Sequence, residues 1–310
     1  MKVSSIVGVL LAVLGLFFSS TSYAQKKKIQ IKLPESITFY SPETGEEDVV
    51  YADEILADIE ESQAEEDEWF ADDDEDEDEL FADNPNSNPY LDTFSKKKDA
   101  TQVTDKRVVF LDITTNKGKK DFCSGAVVGD YAVLTAAHCL HEAKNITVYA
   151  GGKGSKLYAY KDRVYYSKLH TRYAPLDSEA DWGIVVLKTA LGKKTGKFEG
   201  SAPVLYTTEK ISIMGFPGSL KKDRPWLSKG KVLPKQLQPG GLVATAVGSF
   251  NHSAWIEGGM SGGPIFKGWK KRSYIIGVNA GNYAHVVSVG SGLGMIPSII
   301  KQARKYTPSK

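Results

Sequence analysis

Eight short apolar runs, separated by Gly, Asn, Asp and Lys, set the strongest limit on what this chain can fold into. They lie at residues 108–111, 125–128, 132–134, 146–149, 183–187, 211–214, 275–278 and 286–289. Each is too short for a helical stripe and is rich in Val and Ile, whose branched side chains suit a pleated surface. Many short strands with turn residues between them indicate an all-β barrel or sandwich. The Gly- and Lys-rich stretch 192–200 is the expected crossing between two such units. Residues 297–306 read as one closing helix, with Pro297 in its first turn and Ile299, Ile300 and Ala303 forming a buried stripe.

The first hundred residues have a different texture. The 310-residue chain carries a net charge of +1, but that balance conceals a strong polarity. Between Leu33 and Ser95 there is no Lys or Arg and there are about 24 acidic residues, whereas residues 96–310 are near +20. The two parts should attract each other, less so at high salt. Residues 72–79 are eight consecutive Asp or Glu, and residues 84–89 read Asn-Pro-Asn-Ser-Asn-Pro. Such composition predicts disorder unless a basic partner neutralises it. We expect an acidic pro-segment over residues 25–98 that covers or chaperones the basic part until removed, with cuts at residues 96–98 or 106–107. A solvated acidic tail is the plainer alternative. A calcium site is disfavoured, because the run lacks the spaced ligands and central Gly of an EF-hand loop.

Residues 1–24 read as a cleaved secretory signal: Lys2, an apolar core at 6–18, then Ser22-Tyr23-Ala24 before Gln25. An exported chain meets an oxidising compartment, where its two cysteines, Cys123 and Cys139, are expected to pair. Two free thiols would be the outcome without export. A hairpin would bring their strands side by side, closing a loop worth about 3 kcal/mol.

Three motifs carry candidate chemistry. Thr135-Ala136-Ala137-His138-Cys139 holds a base. Asp181 opens an apolar strand and can orient that base. Gly258-Gly259-Met260-Ser261-Gly262-Gly263-Pro264 holds a hydroxyl in a Gly-rich turn. Amide hydrolysis needs a nucleophile, a proton shuttle and oxyanion stabilisation. Ser261 would attack, His138 would move the proton, and Asp181 would hold the imidazole tautomer. The N–H groups of Gly259 and Ser261 would bind the oxyanion. Each residue has an ordinary alternative. His138 competes with His141, His170, His252 and His285, Asp181 with Asp162 and Asp177, and Ser261 with any loop serine. The chain order base, acid, nucleophile, each in its own motif, is what favours the catalytic reading.

On these residues the chain resembles the chymotrypsin-fold serine peptidases from about Val103 onward. Within that group it is similar to the bacterial glutamyl endopeptidase-like branch, through Gly215-Phe216-Pro217-Gly218 and Trp226-Leu227-Ser228-Lys229-Gly230-Lys231-Val232. The resemblance implies two six-stranded antiparallel β-barrels with a C-terminal helix, in a domain spanning 99–310. Three departures matter. Met260 stands where animal trypsins have the Asp that a freed N-terminus pairs with. Asn279 stands where the branch places a pocket His. Ile256 replaces a hydroxyl residue. A carboxylate in the pocket needs donors to offset desolvation, so a pocket of Ile256, Asn279, Ala280 and Gly281 should prefer an aliphatic or medium-sized residue over Glu. His285, in the following loop, would restore an acidic preference if it entered that pocket.

The expectation is therefore a secreted serine endopeptidase acting on proteins or peptides as a monomer. It needs no cofactor or metal and, once the signal is removed, no membrane. Its acidic segment is a partner within the chain. The basic residues are scattered without an aromatic stripe, which argues against nucleic acid. A non-catalytic protein-binding module on the same fold is the rival reading.

Overall fold

The computed structural model describes residues 33–70, 96–168, 180–202, 209–233, 249–267, 274–283, 287–292 and 294–309. The signal at 1–24, the acidic run 72–79, the linker 84–89, and His170, Asp177 and His285 lie outside them.

The chain begins with a hairpin, β1 (Ser36–Tyr40) and β2 (Glu47–Tyr51), followed by helix α1 (Ala52–Phe70) and a short β3 (Thr101–Gln102). Six antiparallel strands then form the first barrel: β4 (Val108–Thr115), β5 (Lys120–Val127), β6 (Ala132–Thr135), β7 (Ala143–Ala150), β8 (Tyr158–Ser167) and β9 (Gly183–Leu187). Their order is β8-β7-β4-β5-β6-β9, and β9 pairs back with β8 to close the ring. The expected crossing holds a short helix α2 (Gly192–Thr195) and β10 (Glu199–Gly200).

The second barrel comprises β11 (Lys210–Gly215), β12 (Trp226–Leu233), β13 (Ser249–His252), β14 (Pro264–Lys267), β15 (Tyr274–Tyr283) and β16 (Val287–Ser291). Its order is β15-β14-β11-β12-β13-β16, closed by β15 against β16. Closure leaves neither barrel with a free edge inside the ring. Helix α3 (Ile296–Lys305) ends the fold. Its Ile296, Ile299, Ile300 and Ala303 are buried, and Arg304 reaches back to the carbonyls of Val128 and Phe198 at 2.8 and 3.1 Å. That arginine ties the C-terminus to the first barrel and the crossing.

Disorder does not hold for the first half of the acidic segment. Strand β1 extends the first sheet by pairing with β8, Phe39 opposite Ser167 and Tyr40 opposite Tyr166. Ile37, Phe39, Val50 and Ile55 are buried. Each such side chain contributes about 1.5–3 kcal/mol on leaving water. In α1, Ile55, Ile59 and Ser62 follow helical spacing toward α3. The charges are met by the chain's own lysines: Lys161 holds Glu43 at 2.8 Å, Lys168 holds Glu47 at 2.6 Å, and Lys301 holds both Asp58 and Glu61 at 2.8 Å. For these four acids the neutralising partner is the basic body of the same molecule.

Candidate active site

Strand pairing brings the base and the acid together. β6 ends at Thr135 and pairs with Gly183 of β9. His138 follows β6 on the single turn Ala137–Cys139, and Asp181 stands two residues before β9. Asp181 is buried. Its Oδ1 accepts the backbone N–H of His138 at 2.8 Å, and its Oδ2 lies 2.7 Å from ring Nδ1. A carboxylate at Nδ1 fixes that nitrogen as the donor and leaves Nε2 with a lone pair able to accept a proton. Burial disfavours the imidazolium, but the charge and hydrogen bond of Asp181, aided by Asp121, outweigh it and raise the His138 pKa above its ordinary 6.5. Cys123 and Cys139 form a disulfide, Cα atoms 6.3 Å apart, which ties the His138 turn to β5.

The nucleophile turn docks on that same segment. Gly262 has φ +78°, and a Cβ there would strike Thr135 and lie 2.7 Å from the Ala136 nitrogen, so the turn and the base-bearing loop touch. The Ser124 N–H donates to the Ser261 carbonyl at 2.8 Å, and the Gly262 N–H to the Asn279 carbonyl at 2.8 Å. Among the described residues there is no hydrogen bond between the Ser261 hydroxyl and His138. The Nε2 atom lies 3.7 Å from Cys139 Sγ. Unliganded sites often leave this contact long until substrate binds.

Two peptide units around Ser261 are held by their carbonyl ends. The Gly258 carbonyl accepts from Gly218 N–H at 2.8 Å. The Met260 carbonyl accepts from Asn279 Nδ2 and from Gly263 N–H, both at 3.0 Å. A trans peptide points its N–H opposite its carbonyl, so the clamps direct the N–H groups of Gly259 and Ser261 away from the Gly218 and Asn279 donors. Among the described residues neither group donates to a carbonyl. Gly259 has φ +96°, and a Cβ there would collide with Phe122 and lie 2.6 Å from the Phe216 carbonyl. The Ser124 hydroxyl adds a third brace, accepting from Phe216 N–H at 2.9 Å and donating to the Gly259 carbonyl at 2.7 Å.

The family model for trypsin matches residues 97–291, well over half of the chain. The chain belongs to the trypsin family. Among curated relatives, coagulation factor XI of Bos taurus is 22% identical over 191 residues, covering 54% of this chain and 30% of that protein. Collagenase of Hypoderma lineatum is 42% identical over 41 residues, 13% of this chain and 16% of that protein. The chain thus spans less than a third of the length of either relative. Solved structures with the same fold include a Glu endopeptidase (TM-score 0.55, 17% identity, covering 69% of this chain and all of that one). The protease Anisep of Arthrobacter nicotinovorans gives 0.54 at 20% identity, over 66% and 96%. A scabies mite inactivated protease paralogue, S-D1, gives 0.54 at 15% identity, over 68% and 99%.

Among the described residues, the region behind Ser261 is apolar. Met260 is fully exposed to neither water nor an acid; it is buried in an apolar cluster with Ile256, Ile265 and Ile276. Asn279 is buried too, and its amide N–H serves the Met260 carbonyl, leaving Oδ1 without a partner among the described residues. Ala280 and Gly281 are half-exposed, at an irregularity in the pairing of β15 with β16. Ser124 and Gly218 were not anticipated as parts of the site, although Gly218 lies in a stretch already singled out and Ser124 adjoins Cys123. Their roles depend on backbone geometry across the two barrels, which no local pattern encodes.

Proposed function

We propose that the chain is an exported serine endopeptidase that cleaves protein or peptide substrates through an acyl-enzyme. Ser261 is the nucleophile, His138 the general base and then acid, and Asp181 the residue that orients it. The N–H groups of Gly259 and Ser261 receive the oxyanion. The observation that carries this reading is the pairing of a buried Asp181 with His138 Nδ1 at 2.7 Å, beside a turn whose two N–H groups are left open.

The substrate enters as an added strand near Ala280 and Gly281. Ile256 offers no hydroxyl and sits among apolar side chains, so the pocket favours an aliphatic or medium-sized residue over Glu. The acidic segment is cut from the catalytic domain at residues 96–98, all of them exposed. No helix among the described residues is long and apolar enough to cross a membrane; export itself rests on the signal-like residues 1–24.

The test is Ser261→Ala against the unaltered chain, in a peptide-library digest and in labelling by a serine-directed phosphonate. The unaltered chain should cleave and take the label, and the variant should do neither. An unaltered chain that does neither, with its linker cut, would instead be a binding module on this fold.

A further inference from the structure

We propose that the acidic segment does not leave after cleavage at residues 96–98, and stays as a noncovalent second chain seated on the first barrel and α3. Water adding across the Lys98–Asp99 amide leaves a carboxylate on Lys98 and an ammonium on Asp99. Nothing else holding the two pieces together is a covalent bond.

The seat is continuous and mixed in character. Strand β1 adds to β8 through backbone pairing. Phe39 is wholly buried, its ring centroid 4.9 Å from that of Trp182 and 6.4 Å from that of Tyr306. Ile37, Val50 and Ile55 are buried beside it in one core with the barrel. Asp48 accepts from the Tyr306 hydroxyl at 2.8 Å, and Gln63 Nε2 donates to the Ala202 carbonyl at 2.8 Å. The segment therefore grips the first barrel, the chain beyond the crossing, and the C-terminal helix at once. Residues 33–95 contain no Lys or Arg, so a Lys- or Arg-specific protease releases them in one piece.

The new end on the catalytic side is also held. Ala100 is buried, and Thr101 and Gln102 pair with Leu227 and Trp226. Among the described residues, no hydrogen bond or ion pair of the segment reaches His138, Ser261 or the turn 258–261. The described part of the segment therefore makes no bond to the cleft. Its contact with Trp182, the neighbour of Asp181, gives the site a reason to keep it.

The experiment replaces residues 96–98 with the recognition sequence of an orthogonal protease in the otherwise full chain. The chain is cut, then run on gel filtration at about 0.15 M and about 1 M salt, where the Debye length falls from about 8 to about 3 Å. Both pieces should co-elute at both salts, because buried apolar groups hold them. Separation at either salt would overturn the proposal, as would resistance to cutting, which needs this stretch to be open. Phe39→Asp should release the fragment only once the chain is cut. Retention in the cut variant would show that the Phe39 pocket is not the seat. The readout is mass, so the result stands whether or not the chain hydrolyses peptides.

Discussion

Asp181 holds His138 at two points, the backbone N–H through Oδ1 at 2.8 Å and ring Nδ1 through Oδ2 at 2.7 Å. One carboxylate thus fixes both the path of the turn and the tautomer of the ring. The second contact matters to chemistry, and the first ensures that the ring cannot swing away without breaking a buried hydrogen bond.

Asp181→Asn separates these effects. The amide oxygen can still accept the His138 N–H, so the turn should persist. An amide N–H facing Nδ1 favours the other tautomer and removes the lone pair from Nε2. Turnover should fall by about 10⁴, with little change in the thermal midpoint. Retained turnover in a folded variant would remove Asp181 from the mechanism.

The raised pKa of His138 sets an acid limb. Catalysis needs the neutral ring, so kcat/KM should fall as pH drops through a value above the ordinary 6.5. Asp181 is the main cause of the rise, so in Asp181→Asn the limb of the residual activity should move to lower pH. Stability runs the other way. A raised histidine pKa stabilises the fold fully below 6.5, and that contribution is lost as pH rises through the folded value. A pH–rate profile of both proteins, alongside denaturant midpoints, reads both effects.

Asn279 acts on the nucleophile turn from behind. Losing its hydrogen bond to the Met260 carbonyl should loosen the peptide that carries the Ser261 N–H. Asn279→Leu should lower kcat about fivefold with KM little changed, in keeping with one hydrogen bond of about 1 kcal/mol. Asn279→Asp should be worse, because it replaces the donor with an acceptor facing a carbonyl. A change confined to KM or to side-chain preference would return Asn279 to a purely pocket role.

The described residues of the eight apolar runs fall in strands, Val128 excepted, because branched residues between turn signals leave few other choices. The helix at the C-terminus sits one residue earlier than its pattern, at Ile296–Lys305. Strand β8 was not evident: Tyr158 and Tyr160 are exposed, and Lys161, Asp162 and Arg163 interrupt its apolar pattern. Strand β13 was hidden for the opposite reason, since Ser249, Asn251 and His252 are polar yet buried. The hairpin and α1 were masked by their charge, although Ile37, Phe39, Val50 and Ile55 carry the signal. Net charge judged the segment as if it stood alone, when its counter-ions lie more than a hundred residues away. The proximity of His138 and Asp181 is legible because each sits in its own motif. Ser124, Gly218 and the anchoring role of Asn279 are not, because they arise only when the barrels meet.

His252 gives the last prediction. It is fully buried in β13, and among the described residues neither ring nitrogen has a hydrogen-bond partner. The Phe250 ring lies 6.1 Å away. Burial pushes its pKa down from 6.5 to about 3, so the folded protein keeps the ring neutral. Between those values the unfolded chain binds a proton that the folded one does not. Stability therefore falls as pH drops from 6.5 toward 3, by on the order of 4 kcal/mol in all. His252→Leu should flatten this limb while leaving stability near pH 8 within about 1.5 kcal/mol, since an apolar side chain suits the same space. Denaturant midpoints for both proteins at pH 8, 6 and 4 check it. Parallel acid limbs in the two proteins would show that His252 is not the group that titrates.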